Sequence, residues 1–329
     1  MGRRTLVAAV WFALIGGYAW AQDVQSRADA LLERAGQMED IRSPNAAAFR
    51  LDATFSFIGA DLETLQGTYS ETWVSASEWR QETVVGDLRS IVVGGLGKHW
   101  ILVPEGFPSH AEKLPLVMTF LPATSLKLDF ESIRELGSRD LTAECAFTKR
   151  DSLKFQSAFC FEKKTGVLLQ KVFPETRPRN VVSFSCDYGS FRKFGVYLFP
   201  REVACFEDRH KSIRANVNKL SLLTTVDAAL FEPPAGAVEI PECSGKMVAP
   251  YLVSSGFATS MPDSDRVSWI QVWFMVDAKG KVQNVRALRS LDKRSYKKAV
   301  SATQNLSFVP GTCNGKPIAM PVTLELPAP

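Results

Sequence analysis

The sequence predicts an α+β protein in two folded parts, and three observations carry that reading. A helical stripe near the amino terminus is followed by many short runs that alternate apolar and polar residues. Period-two alternation marks half-buried strands, and connections of a few residues favour antiparallel neighbours. The stretch from Glu242 to Pro329 then reads strand, strand, helix, strand.

The first segment has the form of a secretory signal peptide. Arg3 and Arg4 precede an apolar run from Leu6 to Tyr18, which ends at the small-x-small pattern Ala19-Trp20-Ala21. The run is shorter than the roughly 20 residues that a membrane-spanning helix needs. Residues 1–21 are therefore expected to be removed on export, leaving a mature chain that begins at Gln22 in the periplasm.

Residues 22–241 form the larger expected domain. Val24, Ala28, Leu31, Leu32, Ala35 and Met38 recur at helical spacing. Strand-like runs follow from Phe49 to Ile58, Gly67 to Val74, Trp79 to Val84, Arg89 to Val93 and His99 to Val103, with turns such as Gly86-Asp87 and Gly97-Lys98. A second helical stretch is expected from Leu126 to Leu136. Hairpins through Cys145 to Cys160 and Cys160 to Phe173 come next, the latter turning at Lys164-Thr165-Gly166. Strands from Val181 to Tyr188 and Tyr197 to Phe206 follow. Asp227 to Pro234 closes the domain, because Pro233-Pro234-Ala235-Gly236 cannot continue a central strand.

Residues 242–329 form the smaller expected domain. Ile270, Val272, Phe274 and Val276 share one strand face, and the turn Asp277-Ala278-Lys279-Gly280 leads into a second strand. Tyr296, Ala299, Val300 and Thr303 fall at helical spacing, with Asp292 as N-cap and Pro310 blocking continuation. In the final strand Ile318, Met320, Val322, Leu324 and Leu326 alternate with Ala319, Pro321, Thr323 and Glu325. Pro321 cannot donate a ladder hydrogen bond, which places this strand at a sheet edge.

Six cysteines in an exported chain without a Cys-x-x-Cys pair are read as disulfides. Of the 15 pairings that six cysteines allow, spacing favours one set. Cys145 and Cys160 are symmetric about Ser152-Leu153 in a hairpin, and Cys186 and Cys205 flank a loop around Phe194-Gly195. Cys243 is left with Cys313.

Composition excludes several function classes. At 46% hydrophobic and 22% charged residues the chain can bury sizeable cores. Without the two leader arginines the formal charge falls from +4 to +2, too weak for nucleic-acid binding. There is no Gly-x-Ser-x-Gly elbow, His-Glu-x-x-His pair or phosphate loop; Gly94-Gly95-Leu96-Gly97-Lys98-His99 lacks the spacing and hydroxyl of a P-loop. His99, His110 and His210 have no metal-ligand spacing. The expectation is a non-enzymatic protein with no catalytic residues, metal or cofactor.

The terminal domain resembles the carboxy-terminal domain of the TonB energy-transducer family. The likeness rests on Asp277 to Gly280, Val282 and Val285, Ser290-Leu291-Asp292, Phe308-Val309-Pro310 and Asn314-Gly315-Lys316-Pro317, with the usual front motif reduced to Pro250-Tyr251. It implies a β-β-α-β unit that docks a peptide or envelope-protein partner by adding a strand to an exposed edge. Met320, Val322, Thr323, Leu324, Glu325 and Leu326 would form that edge.

The larger domain resembles the LolA/LolB-like lipoprotein carriers. The residues that carry this likeness are Gly67-Thr68-Tyr69 leading to Trp73, Trp79-Arg80-Gln81-Glu82, Cys160-Phe161-Glu162 with Thr165-Gly166, Phe199-Pro200-Arg201 and Asp227 to Pro234. They imply a curved antiparallel half-barrel that wraps helices and lines an apolar cleft. Trp73, Trp79, Trp100 and Phe120 would line it, with Arg80 at the mouth; the same aromatics would equally fill a core. Two functions follow: an exported binding protein that docks a partner through its terminal strand, or a carrier of lipid or lipoprotein acyl chains; an enzyme with no recognisable motif is the remaining alternative.

Overall fold

The computed structural model describes residues 6–58, 64–95, 98–120, 128–137, 142–150, 156–176, 181–207, 210–243, 245–254, 269–288 and 293–327. The chain opens with helix α1 (Leu6–Glu39), followed by a meander of β1 (Phe49–Ile58), β2 (Thr64–Ser75), β3 (Glu78–Val85), β4 (Leu88–Gly95) and β5 (Lys98–Leu102). Two short helices, α2 (Ser109–Glu112) and α3 (Leu114–Met118), precede β6 (Phe130–Gly137), β7 (Thr142–Thr148), β8 (Ala158–Glu162) and β9 (Leu168–Thr176). Then come β10 (Val181–Gly189), β11 (Arg192–Phe194), β12 (Tyr197–Phe199), β13 (Glu202–Glu207) and β14 (His210–Leu222). After a 3-10 turn (Ala228–Phe231) and β15 (Val238–Pro241), the terminal stretch holds β16 (Met247–Val248), β17 (Tyr251–Ser254), β18 (Trp269–Val276) and β19 (Val282–Ala287). It ends with α4 (Lys293–Gln304), β20 (Ser307–Val309), β21 (Thr312–Cys313), β22 (Lys316–Pro317) and β23 (Met320–Pro327). Among the described residues no helix is long and apolar enough to cross a membrane.

By internal contacts the chain forms two units that interleave along the sequence. One comprises residues 1–41 and 119–210, the other 42–118 and 211–329. Both are built on open antiparallel sheets with few helices.

In the first unit the strand order is β13-β10-β9-β8-β7-β6. Helix α1 lies along β6 and β12. Its buried stripe runs through Ala28, Ala35 and Glu39, so the apolar helical spacing carries one carboxylate into the interior. The Gln25 side chain donates to the Leu128 carbonyl at 3.0 Å and accepts from the Phe130 N–H at 2.9 Å. Those bonds and the ladder to β7 hold Phe130–Gly137 extended, so the expected helix over Leu126 to Leu136 is a strand instead, its first residues lying outside those described. Cys145 faces Cys160 across β7 and β8, and Cys186 faces Cys205 across β10 and β13; both bridges form as the spacing favours. Cys160 lies opposite Gln170 and Cys186 opposite Lys171, so the two bridges staple opposite faces of the sheet. The expected strand from Tyr197 to Phe206 is broken at Pro200-Arg201 into β12 and β13, because proline cannot continue the ladder.

In the second unit the order is β15-β5-β4-β3-β2-β1-β14. Phe49, Leu51, Ala53, Phe55 and Phe57 of β1 are buried on one face, and Ile213, Ala215 and Val217 of β14 sit directly beside them. His110 of α2 stacks on Phe57, with centroids 5.9 Å apart. The terminal stretch belongs to this unit. Its sheet has the order β19-β18-β23, and α4 covers it through Ala299, with Ile270, Val272, Phe274, Leu306, Phe308 and Leu326 completing the core. The expected strand, strand, helix, strand order is what forms. The loop after β5 joins it, the Gly106 N–H donating to the Ala287 carbonyl at 2.8 Å.

The Asp277 carboxylate closes the turn between β18 and β19 by accepting from the backbone N–H groups of Lys281 and Lys279, at 2.9 and 2.8 Å. Those bonds, Lys281 foremost, hold its pKa below the usual aspartate range. Gly280 sits there at φ +80°, and a Cβ on it would lie 1.9 Å from the Phe308 carbonyl oxygen. Gly280→Ala is therefore expected to cost about 2 kcal/mol in urea titrations, through left-handed strain and displacement of β20; an unchanged midpoint would show that the turn tolerates a side chain.

Several expected features lie outside the described residues: Arg3 and Arg4, Gly97, Leu126, Ser152-Leu153 and Ser290-Leu291-Asp292, with its N-cap.

Candidate functional site

Strand register builds the site. Phe49, Trp73, Trp79, Gly94, His99 and Ile240 form one cross-strand row over β1, β2, β3, β4, β5 and β15. Phe49 and Trp73 stack at 5.7 Å. The Trp79 indole lies across the next strand, where a Cβ on Gly94 would stand 2.2 Å from its Nε1. The absence of a side chain at Gly94 therefore lets Trp79 reach His99, with ring centroids 5.1 Å apart.

The row ends at a cleft of about 660 Å³. His99 and Ile240 form one wall, Met247, Ala249 and Pro250 a second, and Ile318, Ala319, Met320 and Pro321 a third. That volume lies within the roughly 300–1,000 Å³ of small-molecule sites. His99 Nε2 and Glu242 Oε1 are 3.1 Å apart on the wall, and among the described lining residues they are the only ionisable side chains in an otherwise apolar space. The Cys243–Cys313 bridge forms as expected and fastens the second wall to β21, where Met247 pairs with Cys313. Among the described residues no group of three or more His, Cys, Asp or Glu side chains is arranged to hold a metal.

Beside the aromatic row, on the same face, lies a buried ion pair. Arg42 Nε donates to Glu71 Oε1 at 2.7 Å and Nη2 to Oε2, while the Tyr69 hydroxyl donates to Oε2 at 3.1 Å. Burial, reinforced by the neighbouring Glu71 charge, raises the Tyr69 pKa well above its ordinary range. The phenol therefore stays a donor.

The residues expected to line one apolar cleft are not brought together. Trp73 and Trp79 lie on the row just described. Arg80 and Trp100 point to the opposite face, because neighbours along a strand alternate sides. There Arg80 donates to the Leu230 carbonyl at 3.2 Å and pairs with Glu82 at 3.1 Å, and Trp100 packs with Ile91, Val93 and Phe231. Both seat the 3-10 turn. Phe120 belongs to the other unit, where it is buried 4.9 Å from Tyr188 and Phe199. The expected partner strand, β23, is an edge in the order β19-β18-β23, with Met320 and Leu326 buried, Val322 and Leu324 half-buried and Thr323 exposed. The Glu325 side chain lies outside those described.

His99, Ile240, Glu242, Met247, Ile318 and Ala319 were not read as cleft residues from the sequence, since their segments meet through the β5–β15 and β16–β21 ladders and the Cys243–Cys313 bridge, all distant in sequence. The parity of Trp79 and Arg80 was the one signal available, and it separates those two residues.

No known family and no curated protein matches the chain by sequence. Solved structures of low similarity exist. A domain of a putative outer membrane lipoprotein-sorting protein from Vibrio parahaemolyticus is 13% identical with a TM-score of 0.41, over 61% of this chain and 95% of that one. A LolA superfamily protein from Nitrosomonas europaea is 8% identical with a TM-score of 0.41, over 62% and 96%. A DUF1329 family protein from Desulfovibrio piger is 11% identical with a TM-score of 0.42, again over 62% and 96%.

Proposed function

We propose that the protein is a non-enzymatic acyl-chain binding protein of the cell envelope, exported with its mature terminus at Gln22, and that the chain lies in the cleft between His99 and Met320. The apolar cleft at the end of the Phe49–Trp73–Trp79 row carries this reading. Each methylene buried there recovers about 0.8 kcal/mol, so a long chain gains affinity without any specific bond. The His99–Glu242 pair offers one donor and one acceptor for the polar end of the ligand. Three disulfides favour an oxidising compartment such as the periplasm. A second reading, docking of a peptide strand on β23, is supported by the edge position of that strand.

Native mass spectrometry of the purified full chain, and titration with a fluorescent fatty acid after delipidation, test the proposal. Ala319→Trp, which fills the cleft, is expected to weaken binding at least tenfold while circular dichroism stays unchanged. A chain that neither copurifies with nor binds acyl ligands, or a filled-cleft variant that binds as before, would overturn it.

A further inference from the structure

The strands beside the cleft carry exposed apolar side chains. Met247, Val248, Tyr251 and Val253 are 65, 48, 61 and 58% exposed. Nine large apolar side chains are this exposed among the described residues, and four of them fall within seven consecutive positions. Single exposed apolar side chains are ordinary; a run of them marks an interaction surface. Leu252, between Tyr251 and Val253, packs into the terminal core and so turns its two neighbours outward.

Charge identifies the occupant. Lys246, next to Met247, and Lys316, on β22 of the small sheet β16-β21-β22, are both exposed. Residues 242–329 hold eleven Lys and Arg against six Asp and Glu, whereas residues 22–241 hold 26 against 29. Basic residues around apolar and tyrosine side chains suit an anionic lipid interface, where the apolar groups enter the headgroup boundary and the lysines meet phosphates. A peptide strand fits less well. Pro250 interrupts the edge between β16 and β17 and removes a ladder donor. We propose that the exposed segment 246–253 of the terminal stretch docks on an anionic phospholipid bilayer through Met247, Tyr251 and Val253, with Lys246 and Lys316 beside them. Met247 also lines the cleft, so a chain leaving the bilayer would enter without crossing water. Docking does not depend on the acyl-binding reading, and the two fail separately.

Flotation of the full chain with vesicles tests the proposal, using phosphatidylcholine alone and phosphatidylcholine with phosphatidylglycerol. Binding is expected only to the anionic vesicles and should weaken as salt rises. Tyr251→Ser with Val253→Ser, and separately Lys246→Glu with Lys316→Glu, are expected to reduce it at least tenfold. None of these four residues lines the cleft, so fatty-acid binding in solution should persist in both variants. Absence of flotation with anionic vesicles, or equal flotation of the variants, would overturn the proposal, as would saturable binding of an extended peptide that involves Tyr251 and Val253 in a protein that ignores vesicles.

Discussion

Arg42→Ala is expected to lower the stability of the folded chain by about 3–5 kcal/mol, measured as a shift in the urea midpoint at unchanged slope. The cause is the carboxylate left behind. Glu71 is 1% exposed, directly across the ladder from Leu51 and Gln81, and Arg42 engages both of its oxygens. The Tyr69 hydroxyl supplies one further neutral donor, which does not replace a guanidinium. Removing one partner of a buried pair strands the other, whereas replacing both leaves no charge to solvate. The double variant Arg42→Met, Glu71→Met should accordingly recover most of the loss. A single-variant cost below about 1 kcal/mol would mean that water reaches Glu71 and that the face beside the aromatic row is not dry.

Glu39→Gln is expected to stabilise the chain increasingly as pH rises from about 4.5 to about 8. Glu39 is 2% exposed; its carboxylate accepts from the Leu168 N–H at 2.8 Å, and its second oxygen has no partner. Burial pushes its pKa up from 4.5 to about 8, partly opposed by the Leu168 hydrogen bond. Folding therefore takes up a proton at this site between those two values, and stability falls as pH rises through the window, by up to about 1.4 kcal/mol per pH unit. Glutamine keeps the Leu168 bond and has no proton to lose. Its advantage should grow through the window and level off above about pH 8. Lys171 supplies an opposite slope further up: burial lowers its pKa from 10.5 to about 8, so wild-type stability should rise again between those values. Thermal melts of both proteins from pH 4 to pH 10 separate the two effects, and parallel curves would refute the assignment.

Legibility of the fold in the sequence followed the constancy of strand parity. β1 was read with its bounds because Phe49, Leu51, Ala53, Phe55 and Phe57 alternate without a break against one buried face. β14 was missed for the opposite reason. Its buried residues Ile213, Ala215 and Val217 are odd-numbered, but the register shift against Asp52/Ala53 puts Leu220 and Leu222 on the same face, so alternation fails across the bulge. The Leu126 to Leu136 segment looked helical because nothing local records that β7 and the Gln25 side chain will take its backbone groups.

The disulfides were legible where a hairpin sets both partners opposite each other, as with Cys145 and Cys160. Of the hairpin between Cys186 and Cys205, β12 was read as the start of a strand running to Phe206, whereas β11 read only as a loop. The cleft was least visible. Aromatic residues were grouped by type, whereas the fold groups them by face: Trp79 faces His99, and Arg80, next in sequence, turns away from it. Its walls come from residues 99, 240–243, 247, 249–250 and 318–321, segments joined only after strand pairing and oxidation.

Photo-crosslinking tests the central claim most directly: a palmitic acid analogue with a diazirine at the chain end, bound to the delipidated full chain, irradiated and mapped by peptide mass spectrometry. The expected result is saturable labelling of Ile240, Met247, Ile318 or Met320, suppressed by excess palmitate and by Ala319→Trp. Labelling that does not saturate, or that saturates on residues outside the cleft, would contradict the assignment of this cleft as the acyl site.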